Sequence, residues 1–222
     1  MININLTLYS FDDLSEEVQK QIIEKERWNV MEQCMSGYGT DYHNSLEKFE
    51  ELMDISVSSW RVDYGSYYCN VKIDVKYAYD EEVLLEHLSG KLLLRYLQNN
   101  ILPSLLTPKC YHTYKHVNDK PILKSRSSRI IKECSCPLTG MCYDMYLIEP
   151  ILEHLQKPNL QTTYEDLMDE CVESFFKEWH NEYRYWADNE DAIREELHNN
   201  QYEDRLYYKN GQVYDGPLEG VA

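Results

Sequence analysis

The sequence predicts an α+β fold: a small antiparallel sheet packed by helices, followed by a mainly helical lobe that ends in a β-hairpin. Three observations carry this. Residues 67–79 alternate apolar and polar side chains with a period of two, as a half-buried strand does. Leucines in 84–97 and aromatic residues in 167–186 recur at steps of three and four, the period of a helix face. Asn210-Gly211 sits between two Tyr-containing runs, the strongest short hairpin signal in the chain. With 43% hydrophobic residues, 8 Gly and 7 Pro in 222 residues, the composition is that of a folded domain, or of a domain with a smaller lobe.

The elements follow in order. Ile2, Ile4, Leu6 and Leu8 alternate with polar residues and predict a first strand. Ser10-Phe11-Asp12-Asp13, or else Leu14-Ser15-Glu16-Glu17, starts a helix running to about Cys34. Two glycines in Ser36-Gly37-Tyr38-Gly39 predict a break, with a second helix from about Tyr42 to Met53. Strands over 55–64 and 67–79 join across Gly65-Ser66. In the second of them Tyr67, Cys69, Val71, Ile73, Val75, Tyr77 and Tyr79 share the core face. Asp80, with Glu81 and Glu82 behind it, is expected to cap a long helix that Pro103 closes. Further on, a helix is predicted over 144–156. Overlapping capping-box spacings, Thr162/Glu165 and Thr163/Asp166, open another that runs to about Trp186 with Leu167, Cys171, Phe175, Trp179, Tyr183 and Trp186 as its stripe. Asp188 and Asp191 restart a short helix ending near Asn199-Asn200. Three divisions result: an α+β core over 1–106, a basic Cys-containing connection over 107–143, and an acidic helical lobe with its hairpin over 144–222.

Charge is the second theme. Lys and Arg number 22 against 39 Asp and Glu, a formal charge of −17. Such a field keeps a protein in solution and repels nucleic acid and anionic membranes. The distribution is uneven. Residues 109–132 hold seven bases and one acid, whereas residues 133–222 hold 20 acids and six bases. Within that basic stretch Tyr111 and Tyr114 suggest base stacking. The charge of the whole molecule argues against direct nucleic-acid contact, and the stretch is expected to meet acidic neighbours or an acidic patch of a partner. The seven cysteines are odd in number and scattered, no basic signal region opens the chain, and no run approaches the roughly 18 apolar residues of a membrane helix. These features predict a reduced, cytoplasmic protein.

Catalytic signatures are missing from the sequence: no phosphate-binding Gly loop, no HExxH, no nucleophile with a base at a recognised spacing. The nearest metal pattern is Cys110, His112 and His116 upstream of Cys134, Cys136 and Cys142, soft ligands that could hold tetrahedral zinc. Its spacing departs from the usual Cys pair two to four residues apart, so the expected reading is buried cysteines, exposed histidines and no cofactor. Carboxylates are the sharper feature. Glu165, Asp166, Asp169, Glu170, Glu173, Glu178 and Glu182 punctuate one helix, and Asp188, Glu190, Asp191, Glu195 and Glu196 crowd the next. Carboxylates spaced along a helix surface can imitate a row of phosphates, and charge complementarity speeds and steers docking on a basic groove. Asp188, Glu190, Asp191, Glu195 and Glu196, with Glu178 and Glu182, are the candidate partner-binding residues.

Leu8-Tyr9-Ser10-Phe11-Asp12-Asp13-Leu14-Ser15-Glu16-Glu17-Val18-Gln19 resembles the opening of uncharacterised phage and prophage proteins that begin with a strand and "YSFDELSEEAQ". Cys136-Pro137-Leu138-Thr139-Gly140, the run Asp191-Ala192-Ile193-Arg194-Glu195, and Gln201-Tyr202-Glu203 also look like that group, whereas the approach to the last hairpin before Arg205 is shorter here. The resemblance implies a mobile-element origin, and some members of the group are labelled antitoxin-like. No functional residue carries over from it. An acidic phage protein of this kind is expected to be non-enzymatic and to occlude a host protein with a basic surface, such as a nucleic-acid-targeting defence effector of the CRISPR nuclease type. The alternative is an antitoxin, whose mark is a toxin gene beside it. A metal-dependent enzyme comes third.

Overall fold

The computed structural model describes residues 6–74, 76–78, 83–105, 109–117, 120–128, 136–198 and 204–216, with the backbone alone over 109–117 and 120–128. The fold is α+β. The chain divides into two compact units, one of Met1–Tyr38 with His180–Ala222 and one of Gly39–Trp179, so the division crosses two helices and coincides with neither 106/107 nor 143/144. Among the described residues no helix is long and apolar enough to cross a membrane.

Helix α1 spans Glu16–Met53 without interruption. The expected break at Gly37 and Gly39 does not occur. Each glycine weakens a helix by roughly 0.5–1 kcal/mol relative to alanine, and a continuous buried stripe outweighs that. Ile23, Val30, Met31, Met35, Tyr42, Leu46, Phe49 and Met53 are all buried at helical spacing on both sides of the pair. A Cβ at either glycine would meet nothing within 4 Å, so neither is required by close packing. Of the two expected helix starts the second holds. Ser10 and Asp13 form a turn instead, the Ser10 hydroxyl donating to the Asp13 carboxylate at 2.8 Å.

In the first unit Phe11, Leu14, Ile22, Ile23, Val30, Ile193, Leu197 and Tyr207 form the core. Gln19, buried, donates from Nε2 to the carbonyls of Phe11 (3.0 Å) and Leu14 (3.2 Å) and accepts from Arg194 Nη1 at 2.7 Å. It thereby ties the turn ahead of α1 to helix α6 (Glu190–His198). The expected first strand is represented by one bridge, Tyr9 to Tyr207, since residues 1–5 lie outside the described residues. Near the C-terminus the described residues turn with single bridges and no paired strands. Gly211 alone has a positive φ, +83°, so the expected type I′ turn, which needs two, is replaced. Gly211 N–H donates to Tyr208 O (2.9 Å) and Tyr208 N–H to Gln212 O (2.8 Å), a three-residue loop with glycine at its left-handed position.

In the second unit β1 (Ile55–Val62) and β2 (Tyr67–Ile73) pair antiparallel as predicted, and Asp63 Oδ1 accepts the Gly65 and Ser66 N–H groups in the turn. The predicted alternation holds over 67–73 and then lapses, because Tyr77 is exposed and Ala78 buried. Strands β3 (Tyr77–Ala78) and β4 (Val83–Leu84) make a second small pair. The long helix expected from Asp80 is corrected. Residues 80–82 lie outside the described set, Leu85–His87 is a 3-10 turn, and α2 begins at Gly90 and runs to Tyr96. A π-helical turn, Leu97–Ile101, then leads into α3 (Leu102–Leu105). Pro103 sits within α3 and does not end the helical path. The widened turn ahead of it is the kind of ladder change that accommodates a residue without an N–H.

The basic segment, expected as a connection, contains two nine-residue strands, β5 (Lys109–Val117) and β6 (Lys120–Ser128), paired antiparallel as a sheet of their own. Helix α4 occupies Asp144–Gln156, and α5 runs Tyr164–Asp188. The Thr163/Asp166 capping box forms: Asp166 accepts from the Thr163 N–H and hydroxyl, and the Thr163 hydroxyl receives the Asp166 N–H. Helix α5 buries Leu167, Cys171, Phe175 and Trp179 of the expected stripe, together with Met168, Val172 and Phe176, while Tyr183 and Trp186 are half-buried.

Candidate functional site

Helix α6 begins because Asn189 Oδ1 accepts the N–H groups of Asp191 (3.1 Å) and Ala192 (3.2 Å), so the cap is Asn189 and not Asp188, which ends α5. The helix buries Ala192, Ile193 and Leu197. This burial leaves Glu190, Asp191 and Glu195 exposed, next to an exposed Asp188. Glu190 and Asp191 lie in the first turn, where carboxylates also favour the helix dipole.

The predicted set does not act as one group. Asp188 lies 3.7 Å from Arg184 Nε, and Glu190 lies 3.9 Å from Arg27 Nη2. Arg27 is shared: it also binds Glu24 at 2.7 Å and the Ala187 carbonyl. Asp191 and Glu195, one helical turn apart, form no ion pair among the described residues. Glu182 and Glu196 are half-buried, and both act on Cys34, whose thiol is pushed up to about 11 by burial first and by these two carboxylates next. Glu178 belongs to the other unit. Several acids of α5 have internal partners as well. Asp166 closes the capping box, and Glu173 accepts the Tyr67 hydroxyl at 2.7 Å, which raises Tyr67 to about 12. Of the predicted set, the exposed members are Asp188, Glu190, Asp191 and Glu195, all in the first unit.

Cys34, Cys69 and Cys171 have thiols raised by burial, Cys69 to about 11, which opposes nucleophilic use at neutral pH. Cys136 is half-buried with φ +47°, and Cys142 is exposed. Cys134 lies outside the described residues, while Cys110, His112 and His116 fall at alternate positions of β5. No group of three His, Cys, Asp or Glu suited to a metal ion occurs among the described residues. Tyr111 and Tyr114, paired in the stacking expectation, occupy opposite sets of alternating positions in β5.

Two polar features of the second unit had no sequence signal strong enough to single them out. Asp144, fully buried, accepts five hydrogen bonds: on Oδ1 from the hydroxyls of Ser45 (2.8 Å) and Thr139 (2.9 Å), and on Oδ2 from the N–H groups of Leu138 (2.9 Å), Thr139 (2.8 Å) and Gly140 (3.2 Å). A carboxylate so enclosed fastens the Pro137–Gly140 turn to α1 and α4 and has no oxygen left to do chemistry. The other is a polar hollow of about 410 Å³ beside α4, lined in part by Glu153, His154, Lys157, Asn159, Thr162 and Glu170. His154 is 7% exposed, its Nε2 has no hydrogen-bond partner among the described residues, and burial holds its pKa below the usual imidazole value. Glu170 opposes that shift. No family model, curated protein or solved structure matches the chain.

Proposed function

We propose that the chain is a non-enzymatic, stoichiometric inhibitor that docks Asp188, Glu190, Asp191 and Glu195 on the basic, nucleic-acid-binding surface of a host protein. The observation that carries this is the exposure of four carboxylates within eight residues, two of them without an ion-pair partner among the described residues. Carboxylates that are not neutralised internally are the ones available to a basic partner. The net charge of −17 and the resemblance of Leu8–Gln19 and Asp191–Glu195 to phage proteins support an anti-defence role, with a CRISPR nuclease or similar effector as the target class.

Titration of such effectors from the natural host with the purified chain tests it, with bound nucleic acid as the readout. Occupancy should fall as the chain reaches equimolar amounts, and inhibition should weaken with rising salt. Replacing the four acids by lysine should weaken inhibition at least roughly tenfold, because like charges then face each other. Unchanged nucleic-acid binding at molar excess of the chain overturns the proposal.

A further inference from the structure

The sign of charge along β5 and β6 follows the pairing register. The strands align without a break from Lys109↔Ser128 to Val117↔Lys120, nine pairs in all. Successive positions of a strand belong to opposite faces. One set holds Lys109↔Ser128, Tyr111↔Arg126, Thr113↔Lys124, Lys115↔Ile122 and Val117↔Lys120. The other holds Cys110↔Ser127, His112↔Ser125, Tyr114↔Leu123 and His116↔Pro121. Every Lys and Arg of the two strands, Lys109, Arg126, Lys124, Lys115 and Lys120, falls in the first set, one at each of its five levels. Neither strand contains an acid. With about 3.4 Å per residue the cations recur about every 6.8 Å along a ribbon some 27 Å long.

Solubility does not account for this pattern. A surface selected only to stay in solution mixes both signs, and this chain carries 39 acids to 22 bases. Lysine also protects exposed strand edges from pairing, but that role does not require one cation per level on a single face. A two-stranded ribbon is only marginally stable alone, and a like-charged ladder weakens it further unless an anion lies against it. A row of anions at regular spacing meets that need.

We propose that this face of the β5–β6 ribbon binds the phosphodiester backbone of a nucleic acid. A two-stranded ribbon fits the major groove of a duplex, about 12 Å wide, and Thr113, in the same set, is a residue type that donates to phosphate oxygens. The net charge of −17 averages over the whole chain, whereas at physiological salt fields between exposed charges fade over about 8 Å. The charges at the touching surface decide the contact. This inference stands apart from the inhibitor reading, which uses the carboxylates of α5 and α6.

The test is fluorescence anisotropy of the full chain with a labelled 20-base-pair duplex and a 20-nucleotide single strand, both of mixed sequence, from 50 to 200 mM salt. Five phosphate contacts give a log–log slope of about −4.5 on duplex or −3.5 on single strand, a loss of about 500-fold or 130-fold across that range, and the arm that binds identifies the source. The double variant Lys115→Gln with Lys124→Gln should make the duplex slope shallower by about 1.8, and Lys115→Arg with Lys124→Arg should keep it. Matching circular dichroism shows that these variants fold. Ser127→Ala, in the opposite set, should leave binding unchanged. The proposal is overturned if neither nucleic acid binds at 50 mM salt, if the Gln variant keeps the parent slope, or if poly-glutamate binds where both nucleic acids fail.

Discussion

The unit of Gly39–Trp179 encloses its key carboxylate, Asp144, under five donors and stacks aromatic rings beside it: Tyr42 lies on Trp179 with centroids 4.7 Å apart and planes 4° from parallel, and on Tyr143 at 3.9 Å. The unit of Met1–Tyr38 with His180–Ala222 has a smaller core. Besides the buried contacts of Gln19, its ion pairs join Arg27 to an exposed Glu24, His198 to an exposed Asp12, and Arg205 to the buried Glu26 at 3.5 Å. The difference teaches where recognition can reside. A carboxylate that already satisfies three backbone N–H groups and two hydroxyls stabilises the fold and is lost to any partner. Exposed carboxylates at the end of α5 and on α6 contribute little to stability and leave their charge at the surface.

Breaking this contrast should cost most at Asp144. Asp144→Ala leaves four donors of the Pro137–Gly140 turn and the Ser45 hydroxyl of α1 without their acceptor and should destabilise the protein by about 3 kcal/mol in urea denaturation, with Asp144→Asn intermediate. By the same measurement Asp191→Ala should lie within about 0.5 kcal/mol of the parent, as exposed surface positions do. An Asp144 variant as stable as Asp191→Ala would mean that the enclosed carboxylate is not structural. Gly211→Ala comes next. At φ +83° a side chain is strained, and its Cβ would stand 2.9 Å from Val18 Cγ1 and 3.3 Å from Ile22 Cγ1. A loss of about 2 kcal/mol is expected from strain and overlap together. A neutral result would show that the C-terminal turn does not pack on α1 as described.

The same contrast explains what the sequence made legible. Asp144–Gln156 and the Thr163/Asp166 start of α5 were readable because periodicity and capping chemistry act within a few residues. Exposure of Glu190, Asp191 and Glu195 follows from the same helical period. The break expected at Gly37–Gly39 fails because two local penalties are outweighed by the buried stripe that continues from Met35 to Tyr42 in register. The long helix expected after Asp80 failed for a related reason: carboxylates after an aspartate suit a helix start but do not compel one, and here Val83–Leu84 pairs with Tyr77–Ala78 before α2 begins at Gly90. The role of Asp144 was not legible at all, since Ser45 lies 99 positions away and only the folded chain brings the two together. Nor could composition show that five cations share one ribbon face, which depends on the register between strands.

The smallest expected effect separates the units by the sign of a pH slope. His198 Nδ1 lies 2.6 Å from the Arg194 carbonyl and Nε2 lies 2.5 Å from Asp12 Oδ1, and these contacts, the Arg194 bond first, raise its pKa above the usual value. Its contribution is therefore fully present below the unfolded value of about 6.5 and is lost as pH rises through the raised folded value. His154 behaves in the opposite sense: burial lowers its folded pKa, so its neutral form is favoured above about pH 6.5 and stability falls as pH drops through that value. Urea midpoints measured from pH 5.5 to 8.5 check both. His198→Gln should flatten the decline on the alkaline side, and His154→Gln should flatten the decline on the acid side. The His198 effect should be modest because the ring is 36% exposed and solvent screens its pull on Asp12. If both variants change the slope on the same side of neutrality, the rim of the first unit and the interior of the second do not differ as the contacts require.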